Sequence, residues 1–393
     1  MSDTLFARLE ELFPEMVACR RDFHMYPELS FMEEETPRKI AAFLSELGLE
    51  VRTGVGGKGV VAMLKGGKPG KTVALRADFD ALPIQDQKQV EYKSRIPGVM
   101  HACGHDIHTA ALMGVAKVLS EVKNEINGNV VFIYQFAEEQ IPGGAKPMIE
   151  DGCLMDVDVI YGAHVSSAIP AGIFSTLEGY VHAAGDTFEI EIIGKGGHGA
   201  SPHLTIDPLM AGSQLVVALQ QIVSQRVDPI QPAVISVGTF HAGQATNIIP
   251  ETATITGTVR TYDEQVRDFI EKSIGKLASS LCEAADAKVN YTYSRGYPAL
   301  WNHPAETQRI ERLAKRIFGE EQVRKYTPSM GMEDFAYYVK EMPGNYFFIG
   351  GRNESINAVY PHHHTLFDAD ERSMLDIGKV FIAAVFDYLK QGQ

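Results

Sequence analysis

The stretch that decides the fold is KTVALRADFD at residues 71–80, in which an apolar run ends in two aspartates. Thr72 to Arg76 has the length and apolar composition of a buried β-strand. Asn129 to Phe136 and Val159 to Ala163 are further apolar runs of strand length, and helical patterns lie between such runs. Because helices and strands alternate, we predict an α/β sheet for this part of the chain.

A helix start is also visible upstream of this stretch. Thr36-Pro37 combines a good capping residue with a proline, which is favoured in the first helical position. Apolar residues then recur on one helical face as far as Gly48, which predicts the helix end. We therefore predict a helix that has Thr36 as its cap.

The pattern changes between about Asp186 and Ser294. Phe188, Ile190 and Ile192 alternate with polar residues, which predicts a half-exposed strand. A helix, two strands, a helix and a last strand are predicted after it, at Pro208–Arg226, Ala233–Phe240, Thr252–Arg260, Glu264–Ala285 and Lys288–Tyr293. The order βαββαβ is that of the ferredoxin-like unit. We predict such a domain over residues 184–295, inserted into an α/β domain formed by residues 1–183 and 296–393.

The composition argues against several classes of function. The 393 residues fit two domains better than one, and 45% of them are apolar, as expected for a globular protein with a sizeable core. The net charge of -14 would repel nucleic acid, and no apolar run is long enough to cross a membrane. The four cysteines are too scattered for a disulfide framework, and the acidic N-terminus does not resemble a secretion signal. We expect a cytoplasmic protein whose partners are small molecules, not nucleic acid or membranes.

Ionisable residues come directly after three of the predicted strands. Asp78 and Asp80 follow the first, Glu138 and Glu139 follow the second, and His164 follows the third. In open α/β sheets, ligands collect beyond the carboxyl ends of the strands. Two adjacent glutamates would allow one carboxylate to bind metal while the other takes a proton from the attacking water. The sequence thus predicts a metal site with a general base at this edge of the sheet.

The densest group of metal-binding side chains is HACGHDIH at residues 101–108, and PHHHTLFD at residues 361–368 adds three histidines. A thiolate and an imidazole two residues apart, with a kink at Gly104, can reach one metal ion or a close pair. A rival interpretation makes Cys103 a nucleophile activated by His101 or His105. That interpretation leaves the two glutamates and His164 without a role, whereas a metal site uses all of them.

Several strings of the sequence, in chain order, resemble the M20 metallopeptidase family. They are RRDFHMYPEL, RADFDALP, HACGHD, AEE, GKGGHGASPH, NIIP, SMGMEDF and HHHTLFD, and they run from about Arg20 to Asp370. The resemblance is closest to the amidohydrolase branch, which includes hippurate hydrolases, aminoacylases, N-acetyldiaminopimelate deacetylases and indole-acetyl-amino-acid hydrolases. Asp78 and Cys103 favour that branch, because other branches have a histidine and a bridging aspartate at these positions. The resemblance implies a catalytic α/β domain that binds two metal ions and an inserted ferredoxin-like domain used for dimerisation.

By this resemblance the metal ligands are Cys103, His105, Glu139, His164 and His363. His363 is chosen from three adjacent histidines because it stands four residues before Phe367, the family spacing. Thr365 replaces the usual proline of that segment, so His362 and His364 stay open as alternatives. A thiolate ligand favours zinc, manganese, nickel or cobalt over magnesium or calcium.

The resemblance also assigns roles outside the ligand set. Glu138 would be the general base, and Asp80 would orient a ligand imidazole. In the inserted domain, His198 matches a histidine that reaches the active site of a partner subunit and helps to stabilise the oxyanion. Asn247 and Arg260 resemble positions that bind the carboxylate of the substrate. The expected assembly is a homodimer or a dimer-based tetramer, with the inserted domain also acting as a lid.

The function implied by the resemblance is metal-dependent hydrolysis of the amide bond of N-acyl amino acids, which yields a free amino acid and a carboxylic acid. One alternative is a hydrolase of the same fold that acts on dipeptides or allantoate-like ureides. Another, from a different class, is an inactive relative that binds acyl-amino acids as a sensor. The presence of all five candidate ligands and the base argues against the sensor.

Overall fold

The computed structural model describes residues 2–390 and divides into two compact units. The larger unit comprises the chain up to Val181, Trp301–Pro328, and the chain from Asp334 onward, and the smaller unit comprises His182–Leu300 and Ser329–Glu333. The predicted insert of residues 184–295 did not include Ser329–Glu333. Non-local bonds attach this segment to the smaller unit: the Ala183 N–H donates to the Gly331 carbonyl at 2.9 Å. No local sequence pattern predicts that Ser329–Glu333 pairs with the smaller unit.

We number the helices in chain order as α1 (Ser2–Glu11), α2 (Phe13–Met25), α3 (Glu35–Glu46), α4 (His105–Glu121), α5 (Ala145–Glu150), α6 (Pro208–Arg226), α7 (Glu264–Ala284), α8 (Pro304–Phe318), α9 (Ala336–Glu341) and α10 (Ser373–Lys390). The strands are β1 (Glu50–Val55), β2 (Gly59–Lys65), β3 (Lys68–Asp78), β4 (Asn127–Gln135), β5 (Val159–Pro170), β6 (Phe174–Thr176), β7 (Gly179–His182), β8 (Ala184–Ile193), β9 (Gly197–His198), β10 (Ala233–Ala242), β11 (Ile248–Ile249), β12 (Thr252–Thr261), β13 (Lys288–Arg295), β14 (Leu300–Asn302), β15 (Val323–Lys325) and β16 (Gly344–Arg352). Within residues 2–390, no helix combines the length and the apolar character needed to span a membrane.

The described part of the larger unit is organised around an eight-stranded sheet in the order β1-β2-β4-β3-β5-β16-β6-β15. The central strands β4, β3, β5 and β16 run parallel to one another, whereas β1 and β2 are antiparallel to their neighbours. β4 and β16 are almost entirely buried, and α4 and α10 contact both each other and β3. Because the four central strands are parallel, their carboxyl ends lie at one edge of the sheet, where ligands collect in such folds.

Two strands of this sheet extend further than the sequence predicted. β3 continues past Arg76 to Asp78, where it still pairs with Gln135 of β4. β5 continues through His164 because β16 pairs with it along this stretch, with Phe348 opposite His164. Asp78 and His164 therefore lie within strands, not after them.

The helix predicted to begin at Thr36 begins earlier. α3 starts at Glu35 with Glu34 as its flanking residue, and Pro37 is its third residue. The Glu28 carboxylate accepts hydrogen bonds from the N–H groups of residues 34, 35 and 36 at 3.0, 3.0 and 2.8 Å. A side chain outside the helix thus provides the cap that was predicted for Thr36, and it satisfies N–H groups that have no partner inside the helix.

The smaller unit is an antiparallel sheet in the order β10-β12-β8-β13, against which α6 and α7 pack. Phe188, Ile190 and Ile192 of β8 are buried in the core that these helices share with the sheet. Asp207 and Asp263 cap the two helices by accepting backbone N–H groups of the first turn. The chain order βαββαβ and this strand order are those of the ferredoxin-like unit, so the predicted fold class is confirmed.

Candidate metal centre

A first group of potential ligands consists of Cys103, His105 and His164, whose ligand atoms all lie within 4.8 Å of one another. The Cys103 Sγ lies 3.4 Å from the His164 Nε2. Gly104 makes the approach possible: its φ is +97°, and a Cβ at this position would lie 2.3 Å from Val165 Cγ1. The chain turns at this glycine between the thiol and α4, which begins with His105.

A second group consists of Cys103, Glu139 and His363, again with all ligand atoms within 4.8 Å of one another. The His363 Nε2 lies 3.3 Å from the Glu139 Oε1. His363 has a left-handed backbone with φ +64°, and its N–H donates to the Ala102 carbonyl at 2.8 Å. A strained backbone conformation in a non-glycine residue is frequent at functional sites. Since Cys103 belongs to both groups, the arrangement suits two ions that share one thiolate.

The two histidines beside His363, His362 and His364, each accept a hydrogen bond from a backbone N–H group. The Ser167 N–H donates to His362 Nε2 at 3.2 Å, and the Leu366 N–H donates to His364 Nδ1 at 3.0 Å. Of the three adjacent histidines, the structure brings only His363 into the groups of potential ligands found among residues 2–390.

Two of the candidate ligand imidazoles use Nδ1 as a hydrogen-bond donor, which leaves Nε2 for a metal ion. The His105 Nδ1–H donates to Asp80, with the carbonyl oxygen at 3.0 Å and Oδ1 at 3.1 Å. The His164 Nδ1–H donates to the Val165 carbonyl at 2.7 Å. In each ring Nδ1 is therefore the donor, which leaves Nε2, the atom that faces the other potential ligands, as the position for a metal ion.

Asp80 contacts more than His105. Its Oδ2 accepts hydrogen bonds from the Glu139 N–H at 3.0 Å and from the Ser30 hydroxyl at 2.7 Å. Burial disfavours its charged form, but these hydrogen bonds and the one from His105 outweigh burial and lower the pKa of Asp80. One buried carboxylate thus orients two candidate ligands, His105 by its side chain and Glu139 by its backbone.

Glu138 lies where a general base would be useful. Its carboxylate is within 4.8 Å of the ligand atoms of His105 and Glu139, and the side chain is buried. Ala137, directly before it, has a left-handed backbone with φ +51°. This turn directs two successive glutamates toward the same group of residues.

The electrostatic field of the site favours a cation. Burial, together with the Glu139 and Glu138 carboxylates, raises the pKa of the Cys103 thiol well above its usual range. Burial opposes a proton on His105, but Asp78, Asp80 and Glu139 outweigh it and raise the pKa of His105 to about 10. A divalent ion would stabilise the thiolate and replace the imidazole proton. One thiolate, three imidazoles and one carboxylate are a donor set that fits zinc, manganese, nickel or cobalt.

The same field argues against Cys103 as a nucleophile. A reactive thiolate needs a lowered pKa, and here the pKa is raised. His101, one of its two suggested activators, is buried, and burial lowers the pKa of this imidazole to about 4. The pKa of the other suggested activator, His105, is raised to about 10, so this imidazole already holds the proton that it would have to take from the thiol.

A further group of potential ligands consists of Asp78, His105 and His108. Two of its members, Asp78 and His108, are already engaged by other polar groups. The His108 Nδ1–H donates to Asp78 Oδ1 at 2.7 Å, and its Nε2 accepts the Val165 N–H at 2.9 Å. The other Asp78 oxygen forms an ion pair with Arg76 at 2.5 Å. Both nitrogens of His108 are therefore used, so His105 is the one imidazole of this group that could bind a metal ion.

A buried ion network supports the two segments that carry His105 and His363, and no role was predicted for its central residue. Arg20 is fully buried and lies 2.8 Å from both Asp106 and Asp368. Asp106 directly follows His105, and Asp368 follows His363 by five residues. Arg20 is part of the string RRDFHMYPEL, so an arginine in an otherwise helical, partly apolar stretch is the only signal that could have indicated it.

Three predicted substrate-side residues lie in the smaller unit. The Gly199 N–H donates to the Asn247 carbonyl at 2.8 Å, which brings His198 and Asn247 together at the β9–β11 pair. Both side chains are exposed. The Ala200 N–H donates to the His198 Nδ1 at 3.0 Å, so the proton of this ring is on Nε2. Arg260 lies at the far end of β12, where burial lowers its pKa. It does not belong to the His198 and Asn247 pair.

Known proteins are similar to this chain along most of its length. A model of Peptidase family M20/M25/M40 matches residues 74–386. The "Putative amidohydrolase YhaA" of Bacillus subtilis (strain 168) is 52% identical over 381 residues, which cover 97% of this chain and 96% of that protein. The N-acyl-L-amino acid amidohydrolase of Geobacillus stearothermophilus is 43% identical over 295 residues, which cover 75% of this chain and 80% of that protein.

A solved structure has the same architecture. The YXEP protein of Bacillus subtilis, described as a dinuclear metal binding peptidase from the M20 family, is 33% identical, with a TM-score of 0.85. The match covers 97% of this chain and 99% of that chain. The likeness therefore extends over both units of the chain.

Proposed function

The chain belongs to peptidase family M20/M25/M40, and from this premise we propose that it is a two-metal amidohydrolase that cleaves N-acyl amino acids. The products would be a free amino acid and a carboxylic acid. The observation that carries the proposal is that two groups of ligand atoms share Cys103, with the Glu138 carboxylate beside them. The similarity to named amidohydrolases supports the same type of reaction.

In the proposed reaction, Cys103, His105, Glu139, His164 and His363 bind two divalent ions. When bound, such ions polarise the amide carbonyl and lower the pKa of water into the neutral range. Glu138 takes the proton of the attacking water and returns it to the nitrogen of the leaving amine. Asp80 keeps His105 and Glu139 in the ligating orientation.

We assign the substrate-side roles to residues of the smaller unit. His198 carries its proton on Nε2, which makes it a suitable donor to the oxyanion. Arg260 would bind the carboxylate of the amino acid, for which a guanidinium has a matching fork of donors. Because Asn247 lies apart from Arg260 in one chain, it would join this site from a second copy.

We also propose that the chain works as a homodimer or a dimer-based tetramer. The smaller unit has an edge strand, β10, and its helix α6 exposes Met210 and Val217 by 55% and 67%. An edge strand and exposed apolar side chains on a neighbouring helix are features that a second copy would cover. Light scattering of the purified protein tests this point, and a monomer at micromolar concentration would contradict it.

The adjacent glutamates allow a matched test of the catalytic assignment. Glu138→Gln should keep both ions and lose activity by about 100-fold to 10,000-fold, the range for a general base. Glu139→Gln should instead lose metal affinity, because it removes a charged ligand. Metal content and kcat are measured on both variants. If Glu138→Gln loses metal while Glu139→Gln keeps it, or if Glu138→Gln retains full activity, the proposed division of roles is wrong.

A further inference from the structure

One segment near the N-terminus contacts both loops that carry the catalytic glutamates and Asp80. It is ELSFME, Glu28–Glu33, which precedes α3 and which we call the bracing segment. Leu29 forms a parallel bridge with Ala81, and the Ala81 N–H donates to the Glu28 carbonyl at 2.8 Å. The function proposed above gives this segment no role.

Ser30 connects the bracing segment to Asp80. Its hydroxyl is buried and donates to the Asp80 Oδ2 at 2.7 Å. The same Oδ2 accepts the Glu139 N–H, while Oδ1 accepts the His105 Nδ1–H. Ser30 therefore limits rotation of the carboxylate on which the orientation of two proposed ligands depends.

Glu33 connects the bracing segment to the turn before the proposed base. Its Oε1 accepts the Ala137 N–H at 2.9 Å, and Ala137 is the left-handed residue that precedes Glu138. Glu33 is 1% exposed, and its Oε2 has no hydrogen-bond partner among residues 2–390. Burial and the nearby Asp80 raise the pKa of Glu33 to about 8. Burial thus disfavours the charged form of this carboxyl group, and the hydrogen bond that it accepts comes from the turn before the proposed base.

The bracing segment is itself firmly held. Glu28 caps α3 through three backbone N–H groups, and the Lys58 ammonium donates to the Glu33 carbonyl at 2.7 Å. Phe31 has a left-handed backbone with φ +65°, and its ring packs edge-to-face on Phe136 at 5.8 Å. A bulky residue keeps this backbone conformation only where its surroundings enforce it.

We propose that Ser30 and Glu33 are positioning residues of the amidohydrolase site. Ser30 fixes the Asp80 carboxylate and, through it, the ligands His105 and Glu139. Glu33 fixes the backbone at Ala137 and, through it, the direction of Glu138. This inference rests on the function proposed above, and it predicts two separable defects: weaker metal binding without Ser30, and slower turnover with intact metal binding without Glu33.

The test compares Ser30→Ala, Glu33→Met and Glu33→Gln with a control, Ser175→Ala. Ser175, in β6, is also a buried serine. Its hydroxyl donates to the Arg324 carbonyl at 3.2 Å and not to Asp80 or a proposed ligand. Chelator competition gives the dissociation constants of both ions, and the visible spectrum of the cobalt(II)-loaded protein reports the ligand geometry. Steady-state kinetics on N-acetyl-methionine separate kcat from KM.

Ser30→Ala should weaken binding of at least one ion by about tenfold, the lower end for an outer partner of a ligand, and should change the cobalt spectrum. Glu33→Met should leave both dissociation constants within about twofold and lower kcat by at least tenfold. Glu33→Gln keeps the acceptor oxygen and should restore most of kcat. Ser175→Ala should match the wild type in all three readouts.

Wild-type dissociation constants, cobalt spectra and kcat in both Ser30→Ala and Glu33→Met would overturn the inference. If Glu33→Met does not fold, Glu33→Gln and Ser30→Ala decide it: the inference then requires near-normal kcat in the first and weakened metal binding in the second. A wild-type protein that binds two ions but cleaves no acyl-amino acid would refute the proposed function instead. The dissociation constants and cobalt spectrum of Ser30→Ala would still test the positioning role.

Discussion

Replacing Asp80 with asparagine is expected to weaken metal binding by about tenfold to a hundredfold. The two carboxylate oxygens accept N–H groups on opposite sides, from His105 at 3.1 Å and from Glu139 at 3.0 Å. An amide has a single acceptor oxygen, so one of these N–H groups must face the NH2 group. A hydrogen bond to a charged partner is worth about 1.5–3 kcal/mol, which corresponds to roughly 10-fold to 150-fold in affinity. Outer partners of metal ligands affect affinity over a similar range.

The assay is competition with a chromophoric chelator at constant pH. Asp86→Asn is a matched control, because Asp86 is equally buried and accepts the N–H groups of Lys88 and Ser94 at 2.9 and 3.0 Å. None of the hydrogen bonds described for Asp86 involves one of the five proposed ligands. This variant should therefore lose stability without losing metal affinity. If Asp80→Asn binds both ions within about twofold of the wild type, the orienting role of Asp80 is refuted.

Three further outcomes follow from the structure. Cys103→Ser should reduce the metal content of dialysed protein below two ions, because the Sγ belongs to both ligand groups; retention of two tightly bound ions would show that the thiolate is not shared. Arg20→Met leaves Asp106 and Asp368 buried without the Arg20 cation and should lower the free energy of unfolding by about 3–5 kcal/mol in urea titrations. A loss below about 1 kcal/mol would show that these ion pairs do not stabilise the fold. Burial lowers the pKa of His182 from 6.5 to about 4, so the unfolded chain takes up this proton first and stability is lost as the pH falls from 6.5 toward 4. The loss should reach about 3 kcal/mol and be absent in His182→Gln, and an unchanged pH dependence in that variant would contradict the assignment.

The fold could be predicted, and a ligand set could be proposed, because their signals are local. Alternating apolar residues such as Phe188, Ile190 and Ile192 indicate a strand within a few positions, and the order of elements then gives the ferredoxin-like unit. The Cys103 and His105 pair is likewise a short-range pattern, and the resemblance to a family supplied the choice of His363.

The bracing segment could not be predicted because its contacts are non-local. Ser30 meets Asp80 across 50 positions of sequence, and Glu33 meets Ala137 across 104. A serine and a glutamate in a polar loop have many ordinary explanations, and no spacing rule connects them to a sheet edge. The same applies to Thr36, whose local pattern predicted a cap that Glu28 provides from eight residues away.

The decisive test of a two-metal amidohydrolase is hydrolysis by the purified protein before chelation, after chelation and after return of the metal. The substrates are N-acetyl-methionine, hippurate, N-acetyl-diaminopimelate, an allantoate-type ureide and a dipeptide. We predict that at least one N-acyl amino acid is cleaved, that chelation abolishes cleavage and that returned metal restores it. Cleavage that survives complete metal removal, or cleavage of the dipeptide or the ureide alone, would contradict it.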